Sequence, residues 1–219
     1  MKRLSIIFII FNVVLIPTIE AQENTLFLFE EFQDAFVYFK GGVRSKDRIN
    51  YDLVNGKIYF IDREDGSIKI ASGTNDIIVL KVGERNFIPT KDGVQELMPT
   101  TPPIYVQYKV KMKMKAQKGA FGIESETSAI TSYSEVSNSG TSFKLKGHEW
   151  EILNRYNSYW IEKSGKKRKF IDFKQFLKIY PKHKDKINEY IKVNSIDFNN
   201  AKEIVDLCLF AESLDSVGV

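Results

Sequence analysis

Apolar and polar residues alternate with period two through most of this chain, and the period changes only near its end. In residues 49–71 two glycine pairs, Asn55-Gly56 and Asp65-Gly66, stand ten positions apart, each between alternating stretches. Such pairs tolerate positive φ at both central residues, as a two-residue type I′ hairpin turn requires. Ile49, Tyr51 and Leu53, then Ile58 and Phe60, then Ile68 and Ile70 fall on one face of three successive strands. This predicts a three-stranded antiparallel meander. A strand over residues 33–39 precedes it, after a loose lead-in over 22–31. Residues 77–82 are more continuously apolar, the pattern of a strand buried on both faces.

Residues 98–103 carry Pro99, Pro102 and Pro103. Proline lacks the donor a central strand needs, so this segment reads as a break or linker between two sets of strands. The clearest alternation follows. Val106, Tyr108, Val110, Met112 and Met114 interleave with Gln107, Lys109, Lys111, Lys113 and Lys115. One set would face a core and four lysines would line the outer face. Residues 119–142 are rich in Ser, Thr and Gly and too long for a simple hairpin connection, which predicts a functional or mobile loop. Extended character returns over 143–161, and Ser164-Gly165-Lys166 turns the chain toward Phe170.

From Asp172 the period becomes helical. Asp172 can cap a short helix with Phe173, Phe176 and Leu177 on one face. Pro181 ends it; Ile187, Tyr190 and Ile191 stripe a second helix that stops at Asn194. Asp197 and Asn199 are cap candidates for a third, which holds Ile204, Val205, Cys208, Leu209 and Glu212. Strands first and helices last predict an α+β fold. Its hairpin-rich antiparallel β-meander spans 22–98, a second set of strands 104–171, and a group of about three helices 172–214.

The N-terminus adds a destination. Lys2 and Arg3 precede an apolar run over residues 4–16, Pro17 breaks it, and Ala21 offers a small residue for cleavage. A basic start, a short apolar core and a small residue mark 1–21 as a secretory signal peptide. Thirteen apolar positions fall short of the roughly 20 a spanning helix needs. The cleaved chain would carry no transmembrane span and would work in the periplasm or at the cell surface. Cys208 is the only cysteine, so no disulfide framework is available and burial must hold the fold. Removing Lys2, Arg3 and Glu20 takes the formal charge from +4 to +3, too little for a polycation function, although the basic residues cluster.

Several stretches together carry a resemblance. They are the tyrosine before a glycine turn and then Ile58-Tyr59-Phe60-Ile61-Asp62, the later Phe87, Gly119-Ala120-Phe121-Gly122 with its Ser/Thr-rich loop, and Phe176 to Pro181 with residues 187–198. The chain is similar to a group of uncharacterised exported proteins of Gram-negative bacteria of the gliding and gut-commensal type. The resemblance implies export and the strands-then-helices order; it brings no activity and no site residue.

Catalytic chemistry finds little to work with. His183 stands among lysines, which oppose a metal, and on a strand His148 and Glu149 point to opposite faces. No metal or other cofactor is expected. Cys208 lies in an apolar stripe, as a buried small hydrophobe does. Residues 62–66 lack the ligand spacing and closing Glu of a calcium loop. Glu149 and Glu151 could share one strand face, the least poor pair for a hydrolase of envelope polymers. The polar concentration above background is basic: Lys109, Lys111, Lys113 and Lys115 in one run, and Lys166, Lys167, Arg168 and Lys169 in another, near Trp160. Cations beside aromatics suit an anionic polymer, whereas lysines on an outer strand face also guard an edge against aggregation. The expected function is that of an exported, non-enzymatic binding or scaffolding module. Its partner would be an anionic envelope polymer or another envelope protein, and no nucleic acid is expected.

Overall fold

A computed structural model describes residues 26–114 and 150–216. The signal-peptide reading, the 119–142 loop, Lys115, His148 and Glu149 lie outside these residues, as do the side chains of Lys113 and Glu151.

The chain is α+β: ten antiparallel strands form one sheet and three helices follow. The strands are β1 (Gln33–Phe39), β2 (Arg44–Tyr51), β3 (Ile58–Ile61), β4 (Ile68–Ile70), β5 (Ile77–Val82), β6 (Arg85–Thr90), β7 (Gly93–Met98), β8 (Ile104–Met114), β9 (Trp150–Lys163) and β10 (Lys166–Phe170). Their spatial order is β10-β9-β8-β7-β6-β5-β1-β2-β3-β4. The meander β2-β3-β4 runs outward from β1, and β5 returns to β1's other side. The helices are α1 (Phe173–Ile179), α2 (Lys184–Val193) and α3 (Ala201–Ser216).

The proline segment breaks the strand without dividing the sheet. Glu96 pairs with Val106 across it, and the Thr101–Pro102 bond is cis. The predicted I′ turns at Asn55-Gly56 and Asp65-Gly66 are four-residue loops instead. Gly56 and Gly66 have φ of 65° and 69°, but among the described non-glycine residues only Ser164 and Ser195 have positive φ. Each loop starts at an aspartate that folds it. The Val54 N–H donates to Asp52 Oδ1 at 2.8 Å and the Gly56 N–H to the Asp52 carbonyl at 2.9 Å. The Glu64 and Gly66 amides bond Asp62 in the same way. The I′ geometry occurs at Ser164-Gly165, where both φ values are positive and Lys163 pairs with Lys166.

One face of the sheet carries the core. A single register row runs Val37, Leu80, Phe87, Glu96, Val106, Tyr159 and Phe170 across seven strands, and every member is buried. β5 buries Ile77, Leu80 and Val82 on this side but leaves Ile78 and Lys81 exposed, so it is covered on one face rather than both. The lead-in is also structured: Phe27 bridges to Asp52, and Leu26, Leu28 and Phe29 pack on the core.

The core face is covered in two ways. From β1 to β7 the sheet curls onto itself. The Tyr51 hydroxyl on β2 lies against the backbone at Gly93 and Val94, where β7 begins. A flat sheet would hold β2 and β7 four spacings apart, about 19 Å, so the contact requires strong curvature. Over β8–β10 the three helices cover the same face. Phe176, Tyr180, Ile187, Ile204, Leu207, Cys208 and Ala211 pack on Ile104, Val106, Tyr159, Ile161 and Phe170, all buried. Asp172 caps α1 as expected, accepting from the Gln175 N–H at 2.6 Å. The cap of α3 is Asn200 rather than Asp197 or Asn199: its Oδ1 accepts from the Lys202 N–H at 3.1 Å and the Glu203 N–H at 3.4 Å.

Candidate functional site: a basic strip over aromatic rings

The opposite face of β8–β10 gathers Lys109, Lys111, Lys167 and Lys169, four of the basic residues singled out in the sequence. Tyr105 pairs with Trp160, and Trp160 with Lys169, so these three stand in one row on this face. Lys167 lies two positions from Lys169 and therefore shares it. Lys109 and Lys111 are in phase with Tyr105, about 13 and 20 Å further along β8 at 3.3 Å per residue. Two basic runs more than fifty residues apart in sequence thus meet on one surface. Lys111, Lys167 and Lys169 are exposed and Lys109 is half-buried.

The rings form the floor. Trp160 is 5% exposed. The Lys167 ammonium lies 3.4 Å from the Tyr105 ring centroid and 5.8 Å from that of Trp160, and the Lys169 ammonium lies 5.1 Å from Trp160. Ammonium groups within about 6 Å of such rings are attracted by the ring quadrupole. Lys167 also donates to Gln95 Oε1 at 2.7 Å, which seats its charge against a buried amide. Partial loss of water lowers its pKa, against the opposing pull of Glu162 and Asp92. Glu162 stands in this strip, paired in register with Lys167. It accepts from the Tyr105 hydroxyl at 2.8 Å, and burial together with that carboxylate pushes the phenol up to about 12.

Lys166 and Arg168 do not join the strip. Arg168 pairs with the buried core residue Ile161, so both side chains project from the other face of the edge strand β10. The outer face of β8 is less open than its sequence suggests, because Gln107, midway between Tyr105 and Lys109, is buried and donates to the Asp92 carbonyl. Tyr105 was legible and overlooked: it stands in the same alternating phase as the lysines. Gln95 carried no such signal, being one polar residue in a short strand.

Two further polar clusters bear on the core and on α3. Glu96, buried in the core row, accepts from Arg85 Nε at 2.7 Å and Nη2 at 2.8 Å, and from the Tyr108 hydroxyl at 2.5 Å. Arg85 lies over the rings of Phe29, Phe87 and Tyr108 at 5.0–5.5 Å. At the C-terminus Lys163 binds Glu212 at 2.9 Å and also Asp215, and His183 Nε2 lies 2.9 Å from Asp215. The Lys163 pairs pin α3 to the end of β9, and the His183 contact ties it to the turn before α2. The Cys208 thiol is fully buried, and burial pushes its pKa upward, which is unsuited to a nucleophile. Among the described residues no three His, Cys, Asp or Glu side chains are grouped to hold a metal, and no helix is long and apolar enough to cross a membrane.

No family model matches this chain, and neither a curated protein nor a solved structure matches it.

Proposed function

We propose that this chain is an exported, non-enzymatic binding module of the cell envelope that holds an anionic polymer along the outer face of β8–β10. The observation that carries the reading is the register row Tyr105–Trp160–Lys169. It brings Lys109 and Lys111 of one run and Lys167 and Lys169 of the other to one surface, with rings beneath the last two charges. A polyanion laid along β8 would meet cations spread over about 20 Å, two of them held over the Tyr105 and Trp160 rings. The apolar run over residues 4–16, followed by Ala21, supports delivery to the periplasm or cell surface.

The test uses a chain carrying Lys109→Gln, Lys111→Gln and Lys169→Gln. The wild-type protein should be retained on immobilised heparin or purified lipopolysaccharide at about 10 mM salt and released as salt shortens the Debye length toward about 8 Å. The triple variant should elute earlier with an unchanged unfolding midpoint. A wild-type protein that flows through both matrices at low salt refutes the reading. N-terminal sequencing of the exported protein should begin at Gln22, and recovery of Met1 would refute cleavage after Ala21.

A further inference from the structure

On the other face of β10 lies a cleft of about 490 Å³, between the Ser164-Gly165 turn and helix α1. Lys163, Arg168, Lys169 and Lys178 line it, with Ser164, Gln175 and the apolar walls of Ile179 and Pro181. No lining residue is acidic. The charge of Lys163 is already matched by Glu212 and Asp215, which hold it from the α3 side. Arg168 and Lys178 are different. Among the described residues neither makes an ion pair or a side-chain hydrogen bond, and both are exposed at the cleft. Gln175 presents a donor as well: its Oε1 accepts from the Ile171 N–H at 3.2 Å, so its amino group is the end left to bond.

Like charges gathered in a concave site focus a positive potential that only an anion relieves. The guanidinium of Arg168 can grip two oxygens of a tetrahedral oxyanion, and Lys178 can add a point charge. The volume exceeds what a bare oxyanion fills: at about 30 Å³ per water it would hold roughly sixteen waters, and it lies in the range of small-molecule sites.

We infer that the cleft between β10 and α1 binds a phosphate or sulfate ester on a body of sugar size, gripped by Arg168 and Lys178. Lys169 belongs to both the cleft lining and the strip, but the gripping pair, Arg168 and Lys178, lies outside the strip, so the inference does not depend on the polymer reading.

Isothermal titration of the full chain with glucose 6-phosphate, a sulfated disaccharide and their uncharged parents decides the matter. Salt is kept at about 0.15 M, where strip charges beyond about 8 Å are screened. At least one charged probe should bind with one-to-one stoichiometry and its uncharged parent should not; which probe binds tells phosphate from sulfate. Arg168→Gln with Lys178→Gln should weaken that binding about tenfold or more, since two charged donors are lost. Lys109→Gln with Lys111→Gln should leave it within about twofold, being remote surface charges. Thermal midpoints of both variants show that each is folded. Absence of binding by either charged probe overturns the inference, and so does equal weakening by the two variant pairs, which would mean diffuse attraction. Polymer retention on heparin can survive either failure, so the two sites are judged apart.

Discussion

Glu96 is the one charged member of an otherwise apolar row that crosses the sheet. A carboxylate there persists because Arg85 meets it with two parallel N–H bonds and Tyr108 with a third. Breaking such a pair strands a charge, whereas replacing both partners with apolar groups is close to neutral. Arg85→Met should therefore cost about 3–5 kcal/mol in denaturant unfolding, and adding Glu96→Leu should recover most of it. Equal losses for the single and double variants would show that the pair is not what holds this part of the core. Asp215 offers a different residue-scale test. The hydrogen bond from Lys163, with His183 beside it, lowers its pKa. A depressed carboxylate stabilises the fold above its unfolded value near 3.9, and the benefit is lost as pH falls through the lower folded value. Asp215→Asn should flatten the acid limb of the Tm profile below about pH 4, and an unchanged limb would mean that the tether does not contribute there.

At the scale of elements, β8 and the α1 cap were legible because one local rule decides each. Alternation of Val106, Val110 and Met112 with polar residues gave the buried face, and all three are buried. Met112→Ala should accordingly cost about 2–5 kcal/mol, and Asp172→Ala, which removes the α1 cap, about 1 kcal/mol, both read from urea midpoints. The turns were misread through attention to the glycine pair alone. The deciding residues are Asp52 and Asp62, four positions before each glycine, whose carboxylates capture the amide two residues on. Gly56 still needs its conformation: at φ 65° a Val would be strained, so Gly56→Val should lose about 1–3 kcal/mol. What no local rule could supply is the curl that brings Tyr51 to Val94, or the pairing of Arg85 with Glu96. Both depend on strands meeting across the whole sheet. The strip was half legible: each lysine run shows in the sequence, but only the register of β8, β9 and β10 shows which members share a face.

For the whole molecule, the continuous sheet joins two apolar clusters, and Tyr108 packs against both. Cooperative unfolding is the expected result. Tryptophan fluorescence reports on β9, which bears both tryptophans, and far-UV circular dichroism reports on every element. Their urea transitions should coincide; a gap between them would mean that the curled half and the helix-covered half melt separately. The lone cysteine makes this accessible in the native state as well. Cys208 is sealed under α3 with 0% exposure, and no second thiol competes with it. The chain therefore carries its own reporter of rare openings: a thiol reagent in native buffer can act only during the moments when α3 lifts from the sheet. The labelling rate, divided by that of the unfolded chain, gives the population of the lifted state directly. The same experiment on Asp215→Asn would measure how firmly the Lys163 latch keeps that helix down.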